Sequence, residues 1–167
     1  MKIAFISDIH GNYEALKEVL KAIDKENVNH IFCLGDVVGY YSQVNECCTE
    51  LIEREIPTIM GNHDWYMASG TGCPRSKSVN DCLVYQRKII SETNLNWLKS
   101  FPAFRNFNNI NMVHGGWNNP IDEYLHEIDS NYFDHIIGDI FVSGHTHIQR
   151  TDNFNGNCKE GMIFPIK

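Results

Sequence analysis

Ile3 to Ser7 is a short apolar run of β type, and beyond His10 the apolar positions change period. Ala15, Leu16, Val19, Leu20 and Ile23 fall on one face of a predicted helix that Asn12 can cap. His30 to Leu34 is the next apolar run and ends at Gly35-Asp36. Val44, Cys47, Cys48, Leu51 and Ile52 then return to helical spacing, and Pro57 to Met60 leads into Gly61-Asn62. This β-α-β-α-β order favours parallel strands joined by right-handed crossovers. Each apolar run ends in polar side chains, and the carboxyl ends of parallel strands are where such a sheet places its ligands.

The rest of the chain is less regular. Trp65 to Asn80, with Gly70, Gly72, Pro74 and several Ser, reads as a loop of about 15 residues, a length that is usually functional or mobile. Val79, Cys82, Leu83, Gln86 and Ile90 predict a helix, and Asn94 to Ser100 a second, short one. Phe104 to Phe107 and Ile110 to Val113 predict a hairpin across Asn108-Asn109, with the second strand ending at His114. Ile121 to Ile128 is predicted helical. Asp139 to Ser143 is a predicted strand that delivers Gly144-His145-Thr146-His147, and Ile148 to Phe154 and Cys158 to Ile166 are predicted to pair across Asn155-Gly156. No internal repeat or linker divides the chain, so residues 1–167 are expected to form a single domain.

Five polar clusters follow these apolar runs: Asp8-Ile9-His10, Gly35-Asp36, Gly61-Asn62-His63-Asp64, His114-Gly115 and Gly144-His145-Thr146-His147. Taken singly, a Gly-Asp after a strand is a turn and a lone His is a satisfied side chain. Their recurrence in order, each after an apolar run, points instead to one metal site. Asp8 and His10, two residues apart in an extended segment, share a face. Two ions held ~3.5 to 4 Å apart need an anionic group between them, and Asp36 is the natural bridge. Nitrogen and oxygen donors without thiolate suit Mn, Fe, Zn, Ni or Co better than Ca or a structural zinc.

Composition narrows the substrate. The chain is 43% hydrophobic and 21% charged, as a globular domain requires, and its formal charge of −7 argues against an extended nucleic-acid surface. A small phosphorylated substrate remains compatible, because bound divalent ions reverse the sign of the field locally. No segment approaches ~18 consecutive apolar residues, so no membrane span is expected. Asp8 and His10 interrupt the opening Met1 to Ile6 before a signal peptide can form. The six cysteines show no C-x-x-C spacing and are read as reduced thiols, which together predicts a cytoplasmic protein.

The series Asp8-x-His10, Gly35-Asp36-x-x-Gly39, Gly61-Asn62-His63-Asp64, His114-Gly115 and Gly144-His145-x-His147 resembles the calcineurin-like metallophosphoesterase superfamily over residues 3 to about 150. Asp8-Ile9-His10-Gly11-Asn12 with Gly35-Asp36-Val37-Val38-Gly39-Tyr40 and Asn45-Glu46-Cys47 is similar to a subgroup of small prokaryotic phosphodiesterase or protein-phosphatase-like members. The resemblance implies an α/β fold, a four-layer α/β/β/α sandwich. It implies that Asp8, His10 and His147 bind a first ion, Asn62, His114 and His145 a second, and that Asp36 bridges them. It further implies hydrolysis of a small phosphodiester or phosphomonoester by a hydroxide shared by two divalent transition-metal ions, Mn foremost. His63 would act as general acid and phosphate contact, with Asp64 orienting its ring.

Gly39 and Tyr40 stand where the protein-phosphatase branch carries an acid and an Arg, which counts against protein phosphatase activity. Arg75 and Lys77 are candidates to supply the missing positive charge to a substrate phosphate. Tyr40, Tyr41, Trp65 and Trp117 flank the motifs, with rim packing and stacking on a nucleobase or aryl group both open. His30, His126 and His135 fall outside every motif. Two alternatives stand beside the phosphoesterase reading: a nucleotide pyrophosphatase, and a non-catalytic scaffold of the same fold, which the presence of His63 and of all seven implied ligands opposes.

Overall fold

The structure, a computed structural model, describes residues 1–152. Strands β1 (Ile3–Ile6) and β2 (His30–Cys33) pair in parallel, from Ile3 opposite His30 to Ile6 opposite Cys33. The Pro57 to Met60 segment lies along the far side of β2: Cys33 donates its N–H to Pro57 O at 3.0 Å and accepts from Ile59 N–H at 3.0 Å. Helix α1 (Tyr13–Lys25) begins where expected, with Asn12 Oδ1 accepting the Ala15 N–H at 3.1 Å. Helix α2 (Val44–Glu53) follows β2. Their apolar stripes, Leu16 and Leu20 from α1 with Val44, Cys47, Cys48 and Leu51 from α2, are buried in one core together with Ile6 and Cys33 of this sheet. Each such leucine contributes roughly 1.5–3 kcal/mol through burial.

The predicted loop from Trp65 to Asn80 is much shorter. Helix α3 (Asn62–Ser69) starts inside the Gly-Asn-His-Asp cluster, because the Asp64 carboxylate reaches back to the Gly61 N–H at 3.1 Å, and it ends at Gly70 with φ 77°. Helix α4 (Lys77–Ile89) starts early, capped by Ser76 Oγ on the Val79 N–H at 3.3 Å. Only 70–76 remains as loop. Helix α5 (Glu92–Lys99) matches the short predicted helix.

The second sheet orders β3 (Phe104–Phe107), β4 (Ile110–Val113) and β5 (Ile140–Val142), with β3 and β4 antiparallel as the predicted hairpin and β4 and β5 parallel. Phe32, Leu34 and Ile59 of the first sheet pack in one buried cluster with Ile110 and Met112 of β4, so the two sheets face each other. The alternate side of β5 turns Phe141 into an aromatic group with Trp117 and Phe133, the latter in a 3-10 turn at Ser130–Phe133. The fold is therefore a mixed α/β arrangement of two sheets with helices packed on the first.

The helix predicted from Ile121 to Ile128 is not formed. Asn119 Oδ1 accepts the N–H groups of Ile121 and Asp122, each at 3.2 Å, and the Glu123 carboxylate accepts those of Asn118 and Asn119 at 2.9 and 3.1 Å. Asn119 thus caps a single turn, closed by the Glu123 N–H to Asn119 O at 3.3 Å, and the turn does not continue. The strand expected at Ile148 to Phe154 is irregular through residue 152, and the one at Cys158 to Ile166 lies outside the described residues. Among the described residues, no helix is long and apolar enough to cross a membrane, and the five cysteines there are free.

Candidate metal centre

Both sheets deliver their polar carboxyl ends to one crevice. Asp8 and His10 follow β1, Asp36 follows β2, His114 follows β4, and His145 and His147 follow β5, while Asn62 and His63 occupy the first turn of α3. The backbone there is strained: Asp8, His10, Asp36, His145 and His147 have φ between 54° and 68°, five of the eight non-glycine residues with positive φ among the described residues. Left-handed backbone costs an L-residue roughly 1–2 kcal/mol, and such residues cluster at functional sites. The strain is held by bonds between neighbouring strand ends, among them Asp8 N–H to Gly35 O at 3.0 Å and His10 N–H to Asp36 O at 2.8 Å. Glycine at 61 is required by space, since a Cβ there would overlap Asp36 Oδ1.

Asp36 Oδ2 lies at the centre. His114 Nε2 is 3.3 Å from it, His10 Nε2 3.7 Å and His63 Nε2 4.0 Å. On one side His147 Nε2 stands 3.2 Å from Asp8 Oδ1 and 3.1 Å from His10 Nε2. On the other, Asn62 Oδ1 is 3.2 Å from His114 Nε2, and Asp36, His114 and His145 place donor atoms within 4.8 Å of one another, as Asp8, His10 and His147 also do. His10, Asp36 and His63 form a third such group, so proximity alone admits His63 as a ligand as well as an acid.

Hydrogen bonding to the ring backs fixes what the fronts can do. His10 Nδ1 meets Val38 O at 3.0 Å and His114 Nδ1 meets Leu34 O at 2.8 Å. A carbonyl only accepts, so each Nδ1 carries a hydrogen, and each ring in its neutral form turns a bare Nε2 lone pair into the crevice. For His114 that lone pair faces two further acceptors, Asn62 Oδ1 and Asp36 Oδ2, an arrangement that calls for a cation or a proton between them. His145 Nε2 is buried with no hydrogen-bond partner among the described residues. The nitrogen and oxygen donors fit a borderline divalent ion.

The electrostatics agree. Burial alone would raise the Asp36 carboxyl, but His114, His10 and His63 outweigh it and hold it well below the usual carboxylate range. Burial lowers His114, yet Asp36, Asp8 and the Leu34 carbonyl together prevail and raise the imidazole to about 9. His63 and His145, dominated by burial, fall to about 4. The protein alone thus traps a proton on His114, where a divalent cation competes for the same lone pair.

Asp64 does not meet the expectation of orienting the His63 ring. Its carboxylate accepts four backbone N–H groups, from Asp36 at 2.7 Å, Val37 at 2.9 Å, Val38 at 3.2 Å and Gly61 at 3.1 Å. Adjacent residues on a helix do not face each other, and His63 Nδ1 is buried without a partner. Asp64 ties the β2 turn to the start of α3 instead. Arg75 ion-pairs with Asp122, its guanidinium 5.4 Å from the centre of the Tyr124 ring, which lies 3.9 Å from that of His145. Lys77 is exposed and pairs with Asp81 one turn along α4 at 2.7 Å. The structure therefore brings Arg75 to the crevice and leaves Lys77 away from it.

Asp122 is a neighbour that sequence reading missed: its Oδ1 is 3.6 Å from His145 Nε2. It returns because Pro120 O accepts the N–H groups of His114 and Gly115 at 3.1 and 2.7 Å. The Asn119-Pro120 pair was the available turn signal. Trp117 belongs to the aromatic cluster with Phe133 and Phe141, whereas Tyr40 stands beside the rings of His10 and His63 at 4.7 and 5.1 Å.

Residues 1–159 match the sequence profile of the calcineurin-like phosphoesterase superfamily domain. The chain belongs to that family. This calcineurin-like phosphoesterase domain is 32% identical to an uncharacterised protein of Methanocaldococcus jannaschii over 97% of its own length and 70% of the relative's. It is 27% identical to a symmetrical bis(5'-nucleosyl)-tetraphosphatase of Baumannia cicadellinicola, over 71% of this chain and 44% of that one. The crystal structure of a metallophosphoesterase from Sphaerobacter thermophilus superposes with a TM-score of 0.75 at 30% identity, covering 89% of this chain and 61% of that one. The domain thus spans less than two thirds of the length of both the tetraphosphatase and the Sphaerobacter protein.

Proposed function

We propose that this domain is a metal-dependent phosphoesterase that hydrolyses a small phosphodiester or phosphomonoester. The observation that carries the reading is the ring of Nε2 atoms around Asp36 Oδ2, each of His10 and His114 locked by a backbone carbonyl so that its lone pair points inward. Asp8, His10 and His147 would hold one divalent ion, Asn62, His114 and His145 the second, with Asp36 between them. Such a pair, with Mn first and Fe, Zn, Ni or Co as alternatives, supplies a nucleophile at neutral pH and neutralises charge on the phosphoryl oxygens.

The chain's own groups do the rest. His63 delivers a proton from Nε2 to the leaving oxygen. Burial keeps the free imidazole neutral, and an arriving phosphate dianion favours the protonated form. Asp64 keeps the turn bearing Asp36 in place. Arg75 exchanges Asp122 for a substrate oxygen, while Lys77, paired with Asp81, has at most a secondary part. A long nucleic acid is disfavoured by the net charge of −7.

The similarity to the tetraphosphatase favours a second reading, hydrolysis of nucleotide anhydrides. Turnover of mono-, di- and pyrophosphate substrates by metal-reconstituted protein separates the two. Faster cleavage of the anhydride than of any ester would favour the pyrophosphatase, and no cleavage of any by the loaded protein would overturn both.

A further inference from the structure

Tyr40 is an exposed aromatic beside the proposed acid. The residue is 45% exposed, yet its ring stands 5.1 Å from that of His63 and 4.7 Å from that of His10. An exposed side chain is usually mobile, but the backbone on both sides of this one is clamped. Gln86, fully buried in α4, accepts the Gly39 N–H at 3.0 Å, donates to Gly39 O at 2.7 Å and also donates to Tyr41 O. Tyr41 N–H is bound to His10 O at 2.8 Å. At Gly39, with φ 142°, a Cβ would come within 2.5 Å of His10 Nδ1 and 2.6 Å of His63 Nδ1, so only glycine lets this loop lie against both rings.

A buried glutamine whose side chain makes no other hydrogen bond among the described residues is thus committed to holding three backbone groups around one half-exposed tyrosine. Packing alone does not account for it, since Tyr40 as a whole leaves nearly half its surface in solvent. A ring fixed in advance next to a reacting centre binds a flat partner without the entropic cost of ordering itself, and every nucleobase or aryl group offers a π-face.

We propose that Tyr40, positioned by Gln86, is a stacking platform that selects phosphate esters bearing a planar aromatic group, such as a nucleobase, beside the phosphoryl group to be cleaved. The proposal rests on the phosphoesterase reading for the position of the phosphate. It assigns Tyr40 to specificity and Gln86 to positioning, and neither to the chemistry.

The test uses the full-length, metal-loaded protein and a matched pair of probes, the methylene-phosphonate analogues of adenosine 5'-phosphate and ribose 5-phosphate. These share phosphorus and sugar and differ in the base. Titration calorimetry should show the adenosine probe bound more tightly by wild type, by about 5- to 150-fold, the range expected for one stacked base. Tyr40→Phe should keep that preference and Tyr40→Ala should lose it, with affinity for the ribose probe unchanged in both. Gln86→Met should weaken the adenosine probe selectively, provided its melting curve shows it folded; Tyr40→Ala, at an exposed position, tests the platform whatever happens to Gln86→Met. Equal affinity of wild type for the two probes, an equal change on both in Tyr40→Ala, or loss of metal from Tyr40→Ala by elemental analysis would overturn the proposal, the last by making the ring a support for His10. A preference lost in Tyr40→Ala without turnover of any phosphate substrate would uphold the platform and sink the phosphoesterase reading. Turnover without the preference would do the reverse.

Discussion

His10 and His147 face each other with their Nε2 atoms 3.1 Å apart. His10 has its hydrogen on Nδ1, bound to Val38 O, so its Nε2 brings only a lone pair to that contact. Asp8 Oδ1 lies 3.2 Å from His147 Nε2, and burial of Asp8 is outweighed by His147, His114 and Ser7 together, which keep the carboxyl below its ordinary range. Two imidazoles and a carboxylate crowd one point that a divalent ion fits.

Removing metal should therefore destabilise the fold as well as stop the reaction. A ligand present at 100 times its Kd stabilises the native state by about 2.7 kcal/mol, and one kcal/mol shifts the melting temperature by about 2–4 °C in a chain of this size. Saturating Mn or Co should raise Tm by about 5–10 °C over chelated protein in scanning calorimetry, with Ca much less effective. A melting curve indifferent to metal would count against the site.

His63→Ala separates an acid from a ligand. The variant should keep its metal and lose roughly 10² to 10⁴-fold in turnover with an alkyl or ribosyl leaving group. It should lose distinctly less with a nitrophenyl ester, whose leaving group is stable as an anion. Equal losses on both esters would make His63 a phosphate contact, and lost metal would make it a ligand.

Arg75 and Lys77 should behave differently from each other. Arg75 reaches the crevice through Asp122 and the ring of Tyr124, while Lys77 is held in solvent by Asp81. Arg75→Ala should raise KM several-fold with a smaller effect on kcat, as lost ground-state binding does, and Lys77→Ala should change neither. Steady-state kinetics of the two single variants check this, and a larger effect at Lys77 would contradict the placement.

Asp64→Ala should be destabilising, because four buried N–H groups lose one acceptor and each unsatisfied donor costs about 1–3 kcal/mol. Denaturant unfolding should show a loss of roughly 3 kcal/mol or more, with Asp64→Asn milder since it keeps one acceptor oxygen. A variant as stable as wild type would return Asp64 to the role of orienting His63.

The elements that were legible in the sequence are those whose own periodicity sets them. The stripe from Leu16 to Ile23 and the Asn12 cap gave α1, and the two short runs on either side of the Asn108-Asn109 turn pair gave the hairpin of β3 and β4. The polar clusters were legible as clusters because each sits where a strand ends. Trp65 to Ser69 read as loop because α3 is nucleated by Asp64 reaching back to Gly61, a local bond with no apolar period. Ile121 to Ile128 carries helical spacing, yet only the single turn that Asn119 caps is formed there. Asp122 and Gln86 stayed hidden because contacts across the fold, to His145 and to Gly39, make them important.

The central claim is that the ligands to two ions meet at Asp36. Elemental analysis of wild-type and Asp36→Ala protein, after metal loading and exhaustive dialysis, tests it most directly. Wild type should retain close to two transition-metal ions per chain, and Asp36→Ala should lose tight binding of both, since without the shared anion their repulsion is unscreened. Two tightly held ions in folded Asp36→Ala, or none in wild type, would contradict the assignment.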